Sequence, residues 1–463
     1  MEPRPKILIL GAGCTGLGAA YRLQELGHTD FLILEREGHA GGLAASFLDS
    51  KGFTWDVGGH VQFSHYDYFD RLMATALGDG WLTHLRQSYI WMYDSFIPYP
   101  FQNNLSCLPR EKQLDCILGL LRARSNGHGP PANFRQWITS SFGEGIAEQF
   151  LLPYNLKVWA HPLERMGFHW IGERVAEVDL EQVLTSVLVG KEEAGWGPNR
   201  TFRFPASGGT GSIWKAVARL IPRERIRLRC RVRAVDLDRR IVRTEGGERF
   251  PYDLLISTLP LDVFSRMCHR PELERNAGML RFSTTHIFGI GLRGAAPAHL
   301  RAKNWMYFPE GNCPFYRVTV FSNYSPRNVP DAARQWSLMA EVSESPSKPV
   351  DRRRLLGEVV AGMVNTRLIS GADDIESTWS FTAGHGYPVP TVDRDEHLGI
   401  LQDKLESMGV YSRGRFGAWK YEVANQDHSC MQGVELADRI VRGIPETTVC
   451  NPALANASRR RTA

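Results

Sequence analysis

Lys6-Ile7-Leu8-Ile9-Leu10-Gly11-Ala12-Gly13-Cys14-Thr15-Gly16, followed by Phe31-Leu32-Ile33-Leu34-Glu35, is the stretch that decides the fold. An apolar run, a G-x-G-x-x-G turn, a helical stretch and a second apolar run ending in an acid make a dinucleotide-binding βαβ unit. Gly11 permits the tight turn, Gly13 removes the Cβ that would block a pyrophosphate, and Gly16 lets the helix pack on the strand. Thr15 lies in the same turn. The helix N-terminus offers unpaired N–H groups and a positive dipole end to that pyrophosphate. Glu35 is spaced to hydrogen-bond a ribose hydroxyl. Gly41-Gly42 comes soon after the acid. A second close approach of backbone to the dinucleotide is the habit of FAD enzymes more than of NAD enzymes.

Composition bounds the rest. The chain has 463 residues, which at ~150 per domain implies two or three domains. Its 43% hydrophobic and 23% charged residues are those of an ordinary globular protein. No apolar run reaches the ~18 residues of a membrane span, and the N-terminus lacks the pattern of a signal peptide. The eight cysteines are scattered without a CxxC pair. The expectation is a reduced, cytoplasmic chain with no disulfide framework and no metal site. The net charge is +5, from 55 basic and 50 acidic residues, which suits a phosphorylated substrate. Arg225, Arg227, Arg229, Arg231 and Arg233 alternate with Ile226, Leu228, Cys230, Val232 and Ala234. Period two reads as one strand with a solvated outer face rather than a nucleic-acid patch.

The pattern along the chain predicts an α/β fold: a Rossmann-like FAD-binding domain, a helical insertion and a mixed or antiparallel sheet that holds substrate. The FAD-binding domain is expected over 1–100, 200–265 and 410–443, and the mainly helical domain over 105–195. The substrate domain is expected over 266–409, and a flexible tail over 444–463.

Several stretches carry chemistry. In Asp56-Val57-Gly58-Gly59-His60 the two glycines and the histidine read either as a flavin contact or as a plain turn. Tyr99-Pro100-Phe101-Gln102 sets rings beside an amide, as a base-reading cluster or a packed turn. Arg317 stands in an otherwise apolar run, where a guanidinium needs an anion. A phosphate and an internal carboxylate both meet that need, and Arg174 beside Glu173 raises the same choice. Arg415 precedes Asn425-Gln426-Asp427-His428-Ser429, where polar residues open a helix. In flavoproteins of this architecture that helix points its positive end at the flavin pyrimidine. No Ser-His-Asp arrangement, zinc motif, Walker A loop or carboxylate pair stands out.

In this order the motifs closely resemble the eukaryotic-type UDP-galactopyranose mutases. The matching stretches include Asp56–Phe69, Tyr99–Asn104, Pro153–Ala160, Gly172–Ala176, Trp196–Gly211, Asn312–Pro326, Gly386–Thr391 and Ser412–Gly433. The resemblance implies an isomerase that interconverts UDP-galactopyranose and UDP-galactofuranose through a flavin N5–sugar adduct. It would require reduced FAD, with NADPH or another reductant supplying electrons, and would show no net redox change. It would serve glycan or cell-wall biosynthesis.

The resemblance also assigns roles. Arg174 and Arg317 would clamp the diphosphate, with hydroxyls from Tyr387 and Tyr421. Tyr99, Phe101, Gln102, Asn155, Trp305 and Tyr307 would hold uridine. Asn199 and Trp159 would border the sugar. His60 and Arg415 would face the flavin and the reacting centre. Gly11, Gly13, Thr15, Gly16, Glu35, Gly41, Gly42, Gly58, Gly59, Asn425, Gln426 and Ser429 would hold the cofactor. Two departures stand out. Glu177-Val178 replaces the family's usual Ala-Pro after the Arg174 loop, which bears on loop motion and sugar preference. A segment of longer members is missing between Asn328 and Trp336, which leaves the oligomeric state open. The alternatives are a mutase for a related nucleotide sugar such as UDP-arabinopyranose, or an FAD oxidase or dehydrogenase of the amine-oxidase superfamily.

Overall fold

The computed structural model describes residues 5–125, 129–172, 175, 178–190 and 200–457. Ile7–Leu10 is wholly buried, as a strand covered on both faces must be. It lies at the centre of a five-stranded parallel sheet. Leu254–Ser257 and then Val410–Ser412 lie on one side of it, and Phe31–Leu34 and then Ile226–Arg227 on the other. Helix Cys14–Glu25 packs against helix Gln426–Arg442 at very short range. Gly18 makes this possible, since a Cβ there would come 2.6 Å from the Cys430 carbonyl. Gly433 answers it from the other side, against Thr15 and Ala19. Leu17, Ala20 and Leu23 seal the first helix to the sheet with Ile9, Ile33 and Ile256.

A second, seven-stranded sheet carries the polar side chains of interest. Its spatial order is Ile375–Val389, Arg281–Arg293, Gln335–Glu344, Arg317–Val320, Trp305–Tyr307, Ser88–Met92 and Ser95–Pro98. All neighbours pair antiparallel except Trp305–Tyr307 with Ser88–Met92. Register places Tyr307 opposite Arg317, and Arg317 opposite Glu341. Residues far apart in sequence thus form one row on one face.

Helices Arg110–Ser125 and Phe134–Ile146 pack together within the helical segment, with Phe101, Phe142, Phe150 and Trp159 in one apolar cluster.

Three expectations are corrected. The arginine alternation is not one strand. Ile226–Arg227 edges the parallel sheet, whereas Val232–Asp236 belongs to a separate three-stranded antiparallel sheet. Between them Arg229 turns to φ +54°, as the Arg229 and Cys230 N–H groups donate to the Glu37 and Glu35 carbonyls. Pairing with the cofactor loop breaks the strand. The hairpin 88–98, placed with the dinucleotide unit by a boundary at 100, instead extends the seven-stranded sheet, because residues 88–90 pair with Trp305–Tyr307. Residues 444–457 are docked rather than loose. Glu446 is buried against Arg413 and Arg439, Thr448 against Glu435, and Pro452–Ala457 is helical.

Candidate active site

The cofactor cradle forms where the glycine turn meets residues 41–42. Gly11 adopts φ +100°, and a Cβ there would strike the Thr258 hydroxyl. Gly16 is just as constrained, since a Cβ would run into the Gly11 carbonyl. Gly13 is different. Its φ is an ordinary −82°, and the nearest atom to a Cβ would be Gly42 Cα at 3.9 Å. Nothing among the described residues demands glycine there, so the open space suits an external group. Gly41 N–H donates to the Ala12 carbonyl at 2.9 Å and bridges the two turns. Glu35 is buried. Its Oε2 accepts from Ala12 N–H at 2.7 Å and its Oε1 from Glu37 N–H at 2.8 Å. The carboxylate keeps lone pairs for a hydroxyl.

Two long helices, Cys14–Glu25 and Gln426–Arg442, start at Gly13 and Asn425 with no side-chain cap on their first N–H groups. Uncapped N-termini of this kind receive anions and polar carbonyls. His60 Nδ1 and Gln426 Nε2 are buried with no hydrogen-bond partner among the described residues. Gln426 Oε1 accepts from Trp214 Nε1 at 2.7 Å, so its amide orientation is set. Ser429 is buried one turn into this helix. The open glycine, the uncapped helices and the orphaned polar atoms together fit a flavin dinucleotide.

Beside the cradle, residues 58–60 meet the seven-stranded sheet. Glu341, only 2% exposed, holds the junction. Its Oε1 accepts from Gly59 N–H at 2.9 Å and from Arg317 Nε at 2.8 Å. Its Oε2 accepts from Arg317 Nη2 at 2.8 Å and from the Tyr316 hydroxyl at 2.7 Å. The internal carboxylate that Arg317 needs is therefore present. Among the described residues, Arg317 Nη1 makes no hydrogen bond and remains for a ligand. Burial opposes the charge on Arg317, but Glu341 and the phenols of Tyr387, Tyr316 and Tyr307 hold its pKa well above the ordinary value.

Arg415 is fixed in the same cleft. Its Nε and Nη2 donate to the Gly386 carbonyl and its Nη1 to the Ala424 carbonyl. Its guanidinium lies 5.0 Å from the Tyr387 ring centre and 5.8 Å from that of Tyr421. The two tyrosine rings are 5.8 Å apart. Trp159 backs both, with ring centres 4.8 Å from Tyr421 and 5.8 Å from Tyr387. Trp170 lies 5.3 Å from Tyr421.

Further along, Tyr99 and Tyr154 each come within 5.3 Å of the Tyr307 ring. Trp305 Nε1 donates to the Tyr307 hydroxyl at 2.7 Å.

The fold brings most of the expected residues together. His60, Tyr99, Asn155, Tyr307, Arg317, Tyr387, Arg415 and Tyr421 are half-buried around this cleft. Phe101, Gln102, Trp159 and Trp305 are buried; Trp159 stands against Tyr387 and Tyr421, and Trp305 against Tyr307. Asn155 Nδ2 donates to the Leu151 carbonyl and its Oδ1 accepts from Trp159 Nε1, so its amide is anchored to its own helix. Gly414 N–H donates to Gln432, and a Cβ on Gly414 would meet Thr15, which places Thr15 behind the Arg415 turn. Arg174 and Asn199 lie outside the described residues.

Sequence reasoning missed Glu341, Tyr316, Tyr154, Trp170 and Arg86, whose guanidinium stands 5.6 Å from the Tyr99 ring centre. Glu341 did leave a signal. It is the one charge within Trp336-Ser337-Leu338-Met339-Ala340-Glu341-Val342, the mirror image of Arg317 in its own apolar strand.

Burial lowers the His60 pKa to about 4; Glu341 opposes the shift, and Arg317 and Arg415 add to it. The imidazole is therefore neutral at physiological pH. A pKa below the ordinary 6.5 means that stability is full above pH ~6.5 and drains away as pH falls towards ~4. His60→Gln should flatten the stability–pH curve in that window, measured by urea unfolding of the flavin-loaded protein. Parallel curves for variant and wild type would show that His60 is not the source.

Comparison with known proteins gives a consistent result. Residues 14–330 match the family described as flavin containing amine oxidoreductase. A reduced UDP-galactopyranose mutase of known crystal structure superposes with a TM-score of 0.96 at 46% identity, over 99% of this chain and 98% of that one. A CLA-producing fatty acid isomerase from P. acnes shares the fold at a TM-score of 0.64 and 14% identity, over 94% of this chain and 98% of that one. The zeta-carotene desaturase of Capsicum annuum is 38% identical over 71 residues, which spans 15% of this chain and only 12% of the desaturase. Among the described residues, no helix is long and apolar enough to cross a membrane.

Proposed function

The chain belongs to the flavin-containing amine oxidoreductase family, among its UDP-galactopyranose mutases, and from that premise we propose that it interconverts UDP-galactopyranose and UDP-galactofuranose. The observation that carries the reading is the Arg317 guanidinium. Glu341 holds it in the cleft with Nη1 free, beside Tyr387 and Tyr307. An oxidase acting on amines has no use for an anion clamp at that place.

FAD would lie on Gly11, Gly13, Gly41, Gly42 and Glu35, with its ring system near Gly58, Gly59, His60, Gln426 and Arg415. When bound and reduced, by NADPH or another reductant, it would supply covalent catalysis at the anomeric carbon without net redox change.

The protein's part is binding, placement and charge. Arg317, pre-oriented by two bonds to Glu341, meets the diphosphate without first losing side-chain freedom. The Tyr387 and Tyr421 hydroxyls donate to the same group. Arg174 would add the second guanidinium, and Asn199 would border the sugar. Neutral His60 can hydrogen-bond the flavin without adding charge. The uncapped start of helix Gln426–Arg442 favours negative charge on the reduced ring. Trp159 and Trp170 back the tyrosines and keep water from that wall of the cleft.

Dithionite-reduced protein supplied with UDP-galactofuranose should yield UDP-galactopyranose, followed by chromatography, while the oxidised protein should yield none. UDP binding without turnover would point to another nucleotide sugar, UDP-arabinopyranose being the first to try. Neither turnover nor UDP binding would sink the reading.

A further inference from the structure

Strand Ile375–Val389 leaves its regular pairing close to the cleft. Ala383 pairs with Thr285 and Tyr387 with Ser283, so Gly384, His385 and Gly386 stand opposite Thr284 alone. The surplus makes a large bulge, which re-aims side chains and carbonyls away from the ladder. Gly386 fits only without a Cβ, which would come 2.1 Å from the Thr285 hydroxyl. Its carbonyl receives Arg415 Nε at 3.2 Å and Nη2 at 2.9 Å. Where the bulge closes, pairing resumes at Tyr387. Two groups of the cleft thus depend on the shape of a Gly-His-Gly stretch, whose glycines have wide backbone freedom.

His385 restrains that freedom. Its ring stacks on Phe282, with centres 4.0 Å apart and planes 20° apart, and Phe416 closes on it at 5.2 Å. Its Nε2 lies 2.9 Å from Asp262 Oδ1. Asp262 belongs to helix Leu261–Met267, which follows the Leu254–Ser257 strand of the parallel sheet. The contact therefore joins the bulge of one sheet to the domain built on the other. The Asp262 side chain is 6% exposed, and its Oδ2 accepts from Arg266 Nη2 at 2.9 Å. Burial pushes its carboxyl up, yet His385 and Arg266 hold it below its ordinary value. An ionised carboxylate only accepts, so His385 Nε2 carries the proton and donates.

We propose that His385 is a positioning residue, pinned by Asp262 so that the bulge presents the Gly386 carbonyl to Arg415 and the Tyr387 hydroxyl to the substrate diphosphate. The inference rests on the placing of flavin and nucleotide proposed above. Without the pin the bulge loosens, and the Arg415 guanidinium drifts with the carbonyl that holds it. A drifting cation stabilises the reduced flavin less, so the reduction equilibrium moves towards the oxidised form. Tyr387, next after the bulge, loses its fixed place in the cleft by the same motion.

The midpoint potential of the bound flavin, from dithionite titration against a reference dye, reads Arg415 with no nucleotide present. Calorimetric UDP titration reads Tyr387. His385→Phe keeps the stacked ring and loses the donor, whereas Asp262→Ala removes the acceptor from the other side. Each should shift the reduction equilibrium about tenfold towards oxidised flavin, about 30 mV for two electrons, and weaken UDP binding about tenfold. His385→Gln, which returns a donor near the Nε2 position, should recover both. Arg266→Ala takes away the other bond of Asp262 and should match wild type in both, whatever its unfolding midpoint. A wild-type potential in His385→Phe or Asp262→Ala overturns the pin on Arg415, because the contact then adds stability alone. A wild-type UDP affinity in either overturns the pin on Tyr387. An Arg266→Ala shifted as far as Asp262→Ala overturns both, since any loosening of that helix would then suffice. A shifted potential in a protein that binds no UDP upholds the pin on Arg415 and counts against the mutase reading alone.

Discussion

Arg317→Ala should lower UDP affinity about 10- to 150-fold, from the loss of charge-assisted hydrogen bonds worth about 1.5–3 kcal/mol. It should also destabilise the protein by about 3–5 kcal/mol, because Glu341 then remains buried with no cation against it. The two effects have separate origins and can be pulled apart. In the double variant Arg317→Met, Glu341→Gln no charge is stranded, so stability should return most of the way. UDP affinity should stay low, since the guanidinium is still missing. Calorimetric UDP titration and urea unfolding, both with flavin bound, read the two quantities. Unchanged UDP affinity in Arg317→Ala would remove the residue from the anion site. Recovery of affinity in the double variant would mean that the single change acted only by disturbing the fold.

Glu446→Ala should cost about 3–5 kcal/mol although the residue lies close to the C-terminus. Arg413, whose side chain is 3% exposed, donates to Glu446 Oε2 at 2.6 Å and Oε1 at 2.7 Å, and to Glu406 at 2.6 Å. Arg439 joins both carboxylates, each at 2.9 Å. Removing Glu446 leaves two guanidiniums on one acid, one of them out of reach of water. Arg413 is two residues from Arg415, so the loss should reach the cleft and raise the KM for the nucleotide sugar. Unfolding by urea checks the first effect, and a stability within about 0.5 kcal/mol of wild type would refute it.

The same ion pairs explain what sequence could reveal and what it could not. Gly11, Gly13, Gly16 and Glu35 are legible because their chemistry is local: strand, turn, helix and acid follow one another at fixed spacing. Arg317 is legible as a need, a cation in an apolar strand, but its answer is not. Glu341 comes 24 residues later and becomes its partner only through strand register. Tyr387 joins them from a strand whose pairing shifts register between Ser283 and Thr285, which blurs the period-two pattern. The tail misled for the opposite reason. Glu446, Thr447 and Thr448 are polar and so read as solvated, yet two of the three are buried by partners that no periodicity announces. The arginine alternation at 225–233 carried a true local pattern, overridden when the backbone paired with the cofactor loop.

The parallel sheet that frames the cradle has its oldest strand, Ile7–Leu10, at the centre and its youngest, Val410–Ser412, at the edge. On a ribosome adding roughly 5–20 residues per second, these strands emerge roughly 20–80 seconds apart. Through that interval the glycine turn is synthesised but helix Gln426–Arg442, which grips Thr15 and Ala19, is still inside the ribosome or not yet made. Cofactor capture is therefore among the last events in the birth of this protein. A nascent chain stalled before residue 410 should hold no flavin, however complete its nucleotide-binding signature.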